Sequence, residues 1–183
     1  MSPSQQNGLP RRARPVRLRT PARARHDGFT LIESLITIVV LAIGVLALAM
    51  LQLRTLVDTR TASMRNVATT MAYNLADQMR SNEVALTAGA FDKPNSVPNA
   101  DCYAAKGCTP AAMAGASFAA WLDDLKEALP AASGMVCIDA SPNDGDAADP
   151  QCQNVNGAPY VIKIWWREDG QDTPQRFVTA FVP

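Results

Sequence analysis

Histidine is almost absent from this sequence of 183 residues, in which His26 is the only one. His26 lies in a basic segment that precedes a long apolar run. A Ser-His-Asp triad and a Cys-His zinc site both need histidine in the folded chain. If the basic segment is a leader that is removed, the mature chain contains neither arrangement. The sequence therefore predicts no catalytic residue, no metal site and no cofactor, which is the pattern of a protein that is not an enzyme.

Charged side chains are absent from Ser34 to Leu53, where hydrophobic residues dominate. At about 1.5 Å of rise per residue, this run spans the roughly 30 Å hydrocarbon core of a bilayer. It is longer than the apolar part of a secretory signal peptide, and no A-x-A-like cleavage site ends it. The sequence therefore predicts one membrane-spanning helix.

The charges on either side of this run differ in sign. Up to Gly28 there are seven arginines and one acid, whereas ten basic and sixteen acidic residues follow from Phe29. By the positive-inside rule, the N-terminal end is expected in the cytoplasm and the rest outside the membrane. A net-acidic remainder also lacks the clustered basic face of a nucleic-acid-binding protein, so no nucleic acid partner is expected.

Proline is absent between Phe29 and about Glu83, and Gly44 is the only glycine there. One long helix is therefore expected. Its second half is amphipathic, because apolar residues recur at spacings of three and four. The stripe comprises Leu53, Leu56, Val57, Met64, Val67, Ala68, Met71, Leu75 and Met79. Packing against the protein's own core and packing against a partner helix both explain such a stripe, and each can hold on a different part.

Shorter elements are predicted after this helix. Residues 84–116 have Gly, Pro and Asn at loop spacing and predict an extended connection. A short helix is expected from Ser117, as its N-cap, to Pro130. Three strands follow at 134–140, 158–169 and 175–182, and the last two form an antiparallel hairpin. Trp165 and Trp166 are adjacent on a strand and so point to opposite faces of the sheet.

The four cysteines lie in the part of the chain that is expected outside the cytoplasm, which favours disulfides. Their spacings lack the close pairs of a four-cysteine zinc site. Three connectivities are possible, and the spacing favours Cys102–Cys108 with Cys137–Cys152. The latter bond would hold an acidic loop containing Asp144, Asp146 and Asp149. That loop is interpreted as solvated, with a calcium site as the alternative, although its spacing is not that of an EF-hand.

The sequence G-F-T-L-I-E, Gly28 to Glu33, follows the basic leader and precedes the apolar span. This combination resembles the class III signal of the type IV pilin and pseudopilin superfamily. The resemblance implies that a prepilin peptidase cleaves between Gly28 and Phe29, N-methylates Phe29, and releases a chain that assembles into filaments. The expected fold class is accordingly α+β and type IV pilin-like, with a long hydrophobic and amphipathic N-terminal α-helix packed on a small antiparallel β-sheet head.

The resemblance also assigns a role to Glu33. A carboxylate alone in an apolar environment costs several kcal/mol, whereas a paired one costs much less. Cleavage creates an ammonium at Phe29, and in such filaments the glutamate of one subunit can pair with the N-terminus of a neighbour. The alternative is a polar side chain that snorkels to the membrane edge.

Within the superfamily, residues 28–56 and 71–82 are most similar to minor pilins of the PilV type, also called pilus modification proteins, and the similarity is weaker in the head. The expected partners are the prepilin peptidase, other minor pilins, the major pilin and the pilus assembly platform. The expected location is the inner membrane, with a periplasmic head, before assembly and the pilus tip region afterwards. The alternatives are a minor pseudopilin of a type II secretion system and a signal-anchored extracytoplasmic binding module that never polymerises.

The sequence thus predicts four segments. They are a basic leader at 1–28, a membrane or filament-core half of the helix at 29–53, an amphipathic half at 54–83, and a disulfide-containing head at 84–183.

Overall fold

The computed structural model describes residues 28–182, and the predicted leader lies outside the described residues except for Gly28. The order of elements is α1 (Leu31–Ser81), α2 (Glu83–Thr87), a 3-10 turn (Ala100–Tyr103), α3 (Pro110–Ala128), β1 (Ser133–Ile138), β2 (Tyr160–Trp166) and β3 (Gln175–Phe181). This architecture confirms the predicted α+β, pilin-like fold. The chain divides into two compact units, residues 1–47 and 48–183.

The described part of the first unit is the beginning of α1. Every residue from Gly28 to Ala47 is exposed, including large apolar side chains such as Leu31, Val40 and Leu46. The most apolar eighteen-residue window of α1 has a mean hydropathy of 2.8, and none of that window is buried. The helix is therefore long and apolar enough to cross a membrane.

The second unit contains the rest of α1 and the head. The head buries one face of α1, which comprises Ala68, Ala72, Leu75, Ala76 and Met79. The apolar stripe of α1 divides at this point: Leu53, Leu56 and Val57 remain exposed, whereas the stripe from Met64 onward packs on the core. The stripe therefore packs on the protein's own core from Met64 onward, whereas packing of its exposed earlier part against a partner helix stays a prediction.

The helix α3 docks on α1 through Trp121. Its indole Nε1 donates a 2.8 Å hydrogen bond to the Met71 carbonyl, and the ring is almost fully buried. Gly134 of β1 makes this packing possible, because a Cβ built there would lie 2.5 Å from the Trp121 ring. Trp121 therefore fixes the helix pair, and the sheet approaches it at a residue without a side chain.

The predicted N-cap of α3, Ser117, was wrong by eight residues. The helix begins at Pro110, and the hydroxyl of Thr109 accepts the Ala112 N–H as the N-cap. Ser117 lies inside the helix, where its hydroxyl bonds the Ala114 carbonyl. Proline at the first helical position is favourable because its missing N–H would have had no partner there. The connection predicted over 84–116 was accordingly wrong in part, since it also contains α2 and the 3-10 turn.

The three strands form an antiparallel sheet in the order β1-β2-β3, and the predicted hairpin of the last two strands is confirmed. Each strand is shorter than predicted. The central strand β2 is buried along its whole length. Tyr160, Ile162, Ile164 and Trp166 belong to the core beneath the sheet. Val161, Lys163 and Trp165 lie on the other face and are buried there as well, so the two adjacent tryptophans do occupy opposite faces.

Candidate functional site

The residues at the predicted cleavage point lie outside the helix. Gly28, Phe29 and Thr30 have no regular secondary structure, and α1 begins at Leu31. Phe29 is 78% exposed, and a Cβ at Gly28 would meet no atom of the described residues within 4 Å. Within the described part of the chain, the Gly28–Phe29 peptide bond is therefore exposed and outside regular secondary structure, so a peptidase can reach it.

Thr30 caps the start of α1. The Glu33 N–H approaches both the carbonyl of Thr30, at 3.1 Å, and its hydroxyl, at 3.4 Å. Threonine followed three residues later by glutamate is the sequence of a capping box. Thr30 was not singled out as a functional residue from the sequence, although the T-x-x-E spacing is a signal that could have identified it. The cap fixes the end of the helix three residues before Glu33.

Glu33 occupies the first turn of α1, where the positive end of the helix dipole favours a carboxylate. Its side chain is exposed, and no described residue places a cation within 4 Å of it. Thr37 closes the next turn by donating its hydroxyl to the carbonyls of Glu33 and Ser34. Within the described residues, Glu33 is thus a well-placed carboxylate without a counter-charge.

The cysteines form the two bonds that their spacing favoured. Cys102 is bonded to Cys108 and Cys137 to Cys152, with Cα–Cα distances of 4.7 and 6.1 Å. The first bond closes a small surface loop before α3. The second joins β1 to the loop that follows it.

That loop covers a buried ionic cluster that sequence reasoning missed. Lys163 is fully buried in the middle of β2, and its Nζ lies 2.7 Å from Asp139 Oδ2. The ammonium also donates to Asp144 Oδ1 at 3.0 Å and to the Pro150 carbonyl at 2.8 Å. The only signal in the sequence was a lysine within the otherwise apolar strand YVIKIWW.

Among the acidic side chains of this loop, Asp144 turns to Lys163, whereas Asp146 and Asp149 accept backbone N–H groups of the loop itself. Burial raises the pKa of Asp139, but Lys163 and the N–H groups of Ser141 and Gln153 outweigh that effect and lower it below 3.8. Hydrogen bonds from Ser141 and Lys163 lower the pKa of Asp144. The backbone N–H groups of Asp149 and Ala148 do the same for Asp146.

The acidic loop is interpreted from the sequence as solvated, with a calcium site as the alternative. Within the described residues, no group of three or more His, Cys, Asp or Glu side chains is arranged to hold a metal ion. The loop is organised by the buried lysine, because carboxylate and carbonyl oxygens of the loop turn inward to it.

One comparison with known proteins found a match to the segment around the predicted cleavage point. A family model described as the prokaryotic N-terminal methylation motif matches residues 23–49, which include Gly28, Phe29 and Glu33. No curated protein and no solved structure is significantly similar to the chain. The motif indicates a type IV pilin-like or pseudopilin protein, and hence a structural subunit of a class that is processed by a prepilin peptidase and assembles with other pilins.

Proposed function

We propose that this chain is a minor pilin of the PilV type in a type IV pilus. A prepilin peptidase cleaves it after Gly28 and methylates the new N-terminus at Phe29. The mature subunit waits in the inner membrane with its head in the periplasm. It then joins other minor pilins near the tip of the filament, where it helps to prime assembly of the major pilin.

The observation that carries this proposal is the arrangement at the start of α1. An open Gly28–Phe29 peptide bond precedes the helix by two residues, and Glu33 follows in its first turn. The matching methylation motif supports cleavage at this point. The apolar side chains of α1 from Leu35 to Val57 are all exposed in the isolated chain. A contiguous apolar surface of that size requires a membrane or other subunits to cover it.

In this proposal, Glu33 sets the position of each subunit relative to the next during assembly. Its carboxylate has no cationic partner among the described residues, and cleavage creates an ammonium four positions before it on every subunit. The carboxylate of one subunit pairs with the N-terminus of the next. Such a pair costs far less in an apolar filament core than either charge alone.

The experiment is intact-mass and N-terminal analysis of the protein recovered from sheared pili. We expect a chain that begins at Phe29 and carries one extra methyl group. Gly28→Val is expected to keep the leader, whereas the matched control Gly44→Val, which changes a glycine with equal open space, is processed normally. A chain in the pili that still carries its leader would contradict the proposal.

Two further readouts separate the role of Glu33 and the kind of filament. Glu33→Gln keeps the shape of the side chain and removes its charge, so we expect it to be processed but largely missing from pili, while Ser34→Ala is incorporated normally. Deletion of the gene that encodes this chain is expected to abolish surface pili and twitching motility. Loss of secreted enzymes with intact pili would instead identify a type II secretion pseudopilin.

A further inference from the structure

The strand β3 (Gln175–Phe181) is one edge of the sheet, and no other described strand pairs with its outer side. Backbone bonds at the other edge establish which residues point outward. The carbonyl of Val136 on β1 accepts the Lys93 N–H, and the N–H of Ile138 donates to Asp92. Both residues therefore point away from β2. Since a residue in a regular strand directs its N–H and C=O to the same side, outward and inward residues alternate along each strand.

The pairing of residues between neighbouring strands then shows which residues of β3 point outward. Val161, Lys163 and Trp165 of β2 bond to β1, so its even-numbered residues bond to β3. The outward residues of β3 are consequently Arg176, Val178 and Ala180. No described residue hydrogen-bonds to the backbone N–H or C=O groups of these three residues outside the ladder.

This edge also lacks the usual protection against pairing. Natural sheets shield free edges with proline, lysine or bulges. The strand QRFVTAF contains neither proline nor lysine. Its one charged side chain, Arg176, is turned back onto the β1–β2 loop, where it donates to the carbonyls of Asn143, Asp144 and Gly145. By contrast, the segment around Asp92 covers part of the opposite edge. The β3 edge is therefore open to an added strand.

Two arginines of α1 contact the two ends of this strand. Arg65 Nη2 donates to the Gln175 side chain at 3.1 Å, at the beginning of β3, and the Arg80 guanidinium lies 5.1 Å from the Phe181 ring centroid, at its end. From Arg65 to Arg80 the helix rises about 22 Å, and β3 extends about 20 Å. The two elements thus run side by side along the whole strand.

One largely exposed face of α1 lies next to the outer side of β3. Residues spaced by four, four and seven positions share a helix face, and here they are Arg65, Thr69, Tyr73 and Arg80. Tyr73 is 56% exposed. Arg80 pairs with Asp77, whereas no described carboxylate lies within 4 Å of Arg65. A strand added to β3 would lay alternate side chains over this face.

We propose that the β3 edge, together with the Arg65–Arg80 face of α1, binds an extended strand of another protein that carries carboxylates on alternate residues. The backbone of that strand bonds to Arg176, Val178 and Ala180. Its carboxylates meet Arg65 and Arg80, and an apolar or aromatic side chain between them contacts Tyr73. This is strand addition to a sheet edge, in which main-chain bonds supply affinity and side chains supply selectivity.

The test uses the full processed chain in detergent micelles and two labelled peptides, acetyl-TEVEVEVEVT-amide and its lysine counterpart acetyl-TKVKVKVKVT-amide. We expect the acidic peptide to bind about fivefold or more tightly, since two exposed ion pairs replace two repulsions. Amide hydrogen exchange at Arg176, Val178 and Ala180 is expected to slow when the acidic peptide is added. Equal binding of the two peptides, or unchanged exchange at these amides, would overturn the proposal.

Two substitutions sharpen the test. Val178→Pro removes an outward N–H without removing a ladder bond, so binding should weaken about tenfold, whereas the control Val178→Thr should bind like wild type. Arg65→Glu should reduce the preference for the acidic peptide. If Val178→Pro is unfolded, the exchange measurement on the unmodified chain decides. If the wild-type chain forms a dimer and the Val178→Pro variant does not, the edge pairs with a second copy, which contradicts the proposed acidic partner.

Discussion

Lys163 and Asp139 show how single charged residues shape the head. Both are fully buried on the face of the sheet that points away from α1. Removing a charge from water costs several kcal/mol unless it is paired and hydrogen-bonded. Here one ammonium holds two carboxylates and a carbonyl of the β1–β2 loop. The pair therefore fixes that loop over the sheet.

Replacing Lys163 by methionine should destabilise the head strongly. The substitution keeps the volume of the aliphatic stem but leaves Asp139 buried without its counter-charge, which typically costs about 3–5 kcal/mol. We expect this loss in the free energy of unfolding, measured by denaturant titration at pH 7 with tryptophan fluorescence. The exposed Lys126→Met, which breaks only a surface pair with Asp123, is the control and should change little.

The pH dependence separates pairing from packing. The folded pKa of Asp139 lies below 3.8, so its ionised form adds stability above about pH 3.8 that is lost as the pH falls through the folded value. Without Lys163, only the N–H groups of Ser141 and Gln153 oppose the effect of burial, so we expect the pKa of Asp139 to rise, and acid then relieves the penalty. The difference between wild type and Lys163→Met should therefore shrink from pH 7 to pH 3. A constant difference would mean that the lysine acts by packing alone.

At the scale of elements, α3 shows how local chemistry sets a helix boundary. Thr109 and Pro110 form a cap and first turn that satisfy or remove the N–H groups at the start of the helix. Ser117 resembles a cap in sequence because an apolar face follows it. The stretch before it, PAAMAGA, consists mostly of alanine, but it belongs to residues 84–116, in which the spacing of Gly, Pro and Asn predicts an extended connection. Alanine is nevertheless the best helix former, so the true helix extends back to the proline.

The two candidate caps differ in their expected effect on stability. Thr109→Ala should lower the free energy of unfolding by about 1 kcal/mol, because the Ala112 N–H loses its acceptor. Ser117→Ala should change it by no more than about 0.5 kcal/mol, since alanine is favoured inside a helix. Denaturant titration of the two variants measures both values. A larger loss for Ser117→Ala than for Thr109→Ala would contradict the observed helix start.

At the scale of the whole molecule, the head has few elements with which to build a core. One face of α1, the helix α3 and three strands supply it, and the buried set is limited in size. Small extracytoplasmic domains commonly compensate with disulfides. The two bonds of this chain hold different features, a surface loop before α3 and the loop over Lys163.

The disulfides should therefore differ in their contribution. Chain entropy gives about 2 kcal/mol for closing the six-residue separation of Cys102–Cys108 and about 3 kcal/mol for the fifteen-residue separation of Cys137–Cys152. Loss of the second bond also frees the loop that carries Asp144. In denaturant titrations of the full chain, we expect the variant in which serine replaces Cys137 and Cys152 to be less stable than the variant in which serine replaces Cys102 and Cys108. The reverse order would show that the loop over Lys163 is held mainly by its polar contacts.

The sequence alone determined the features that depend on neighbouring residues. The apolar run, the absence of proline and the GFTLIE motif predicted the long helix, its membrane-length apolar part and the candidate cleavage point at Gly28–Phe29. β-branched and aromatic content, with turn residues between the segments, predicted the three strands and their hairpin. These signals are local, because a helix or strand is specified mainly by its own composition and period.

Tertiary structure decided what depends on contacts between distant residues. Lys163 meets Asp139 and Asp144 only because the β1–β2 loop folds back over the sheet. The apolar stripe of α1 divides between core and open surface only where the head begins to cover it, at Met64. The free edge of β3 follows from the strand order, which no single segment encodes. Burial and strand pairing are properties of the assembled chain, so a pattern in one segment predicts the element but not the surface that the element meets.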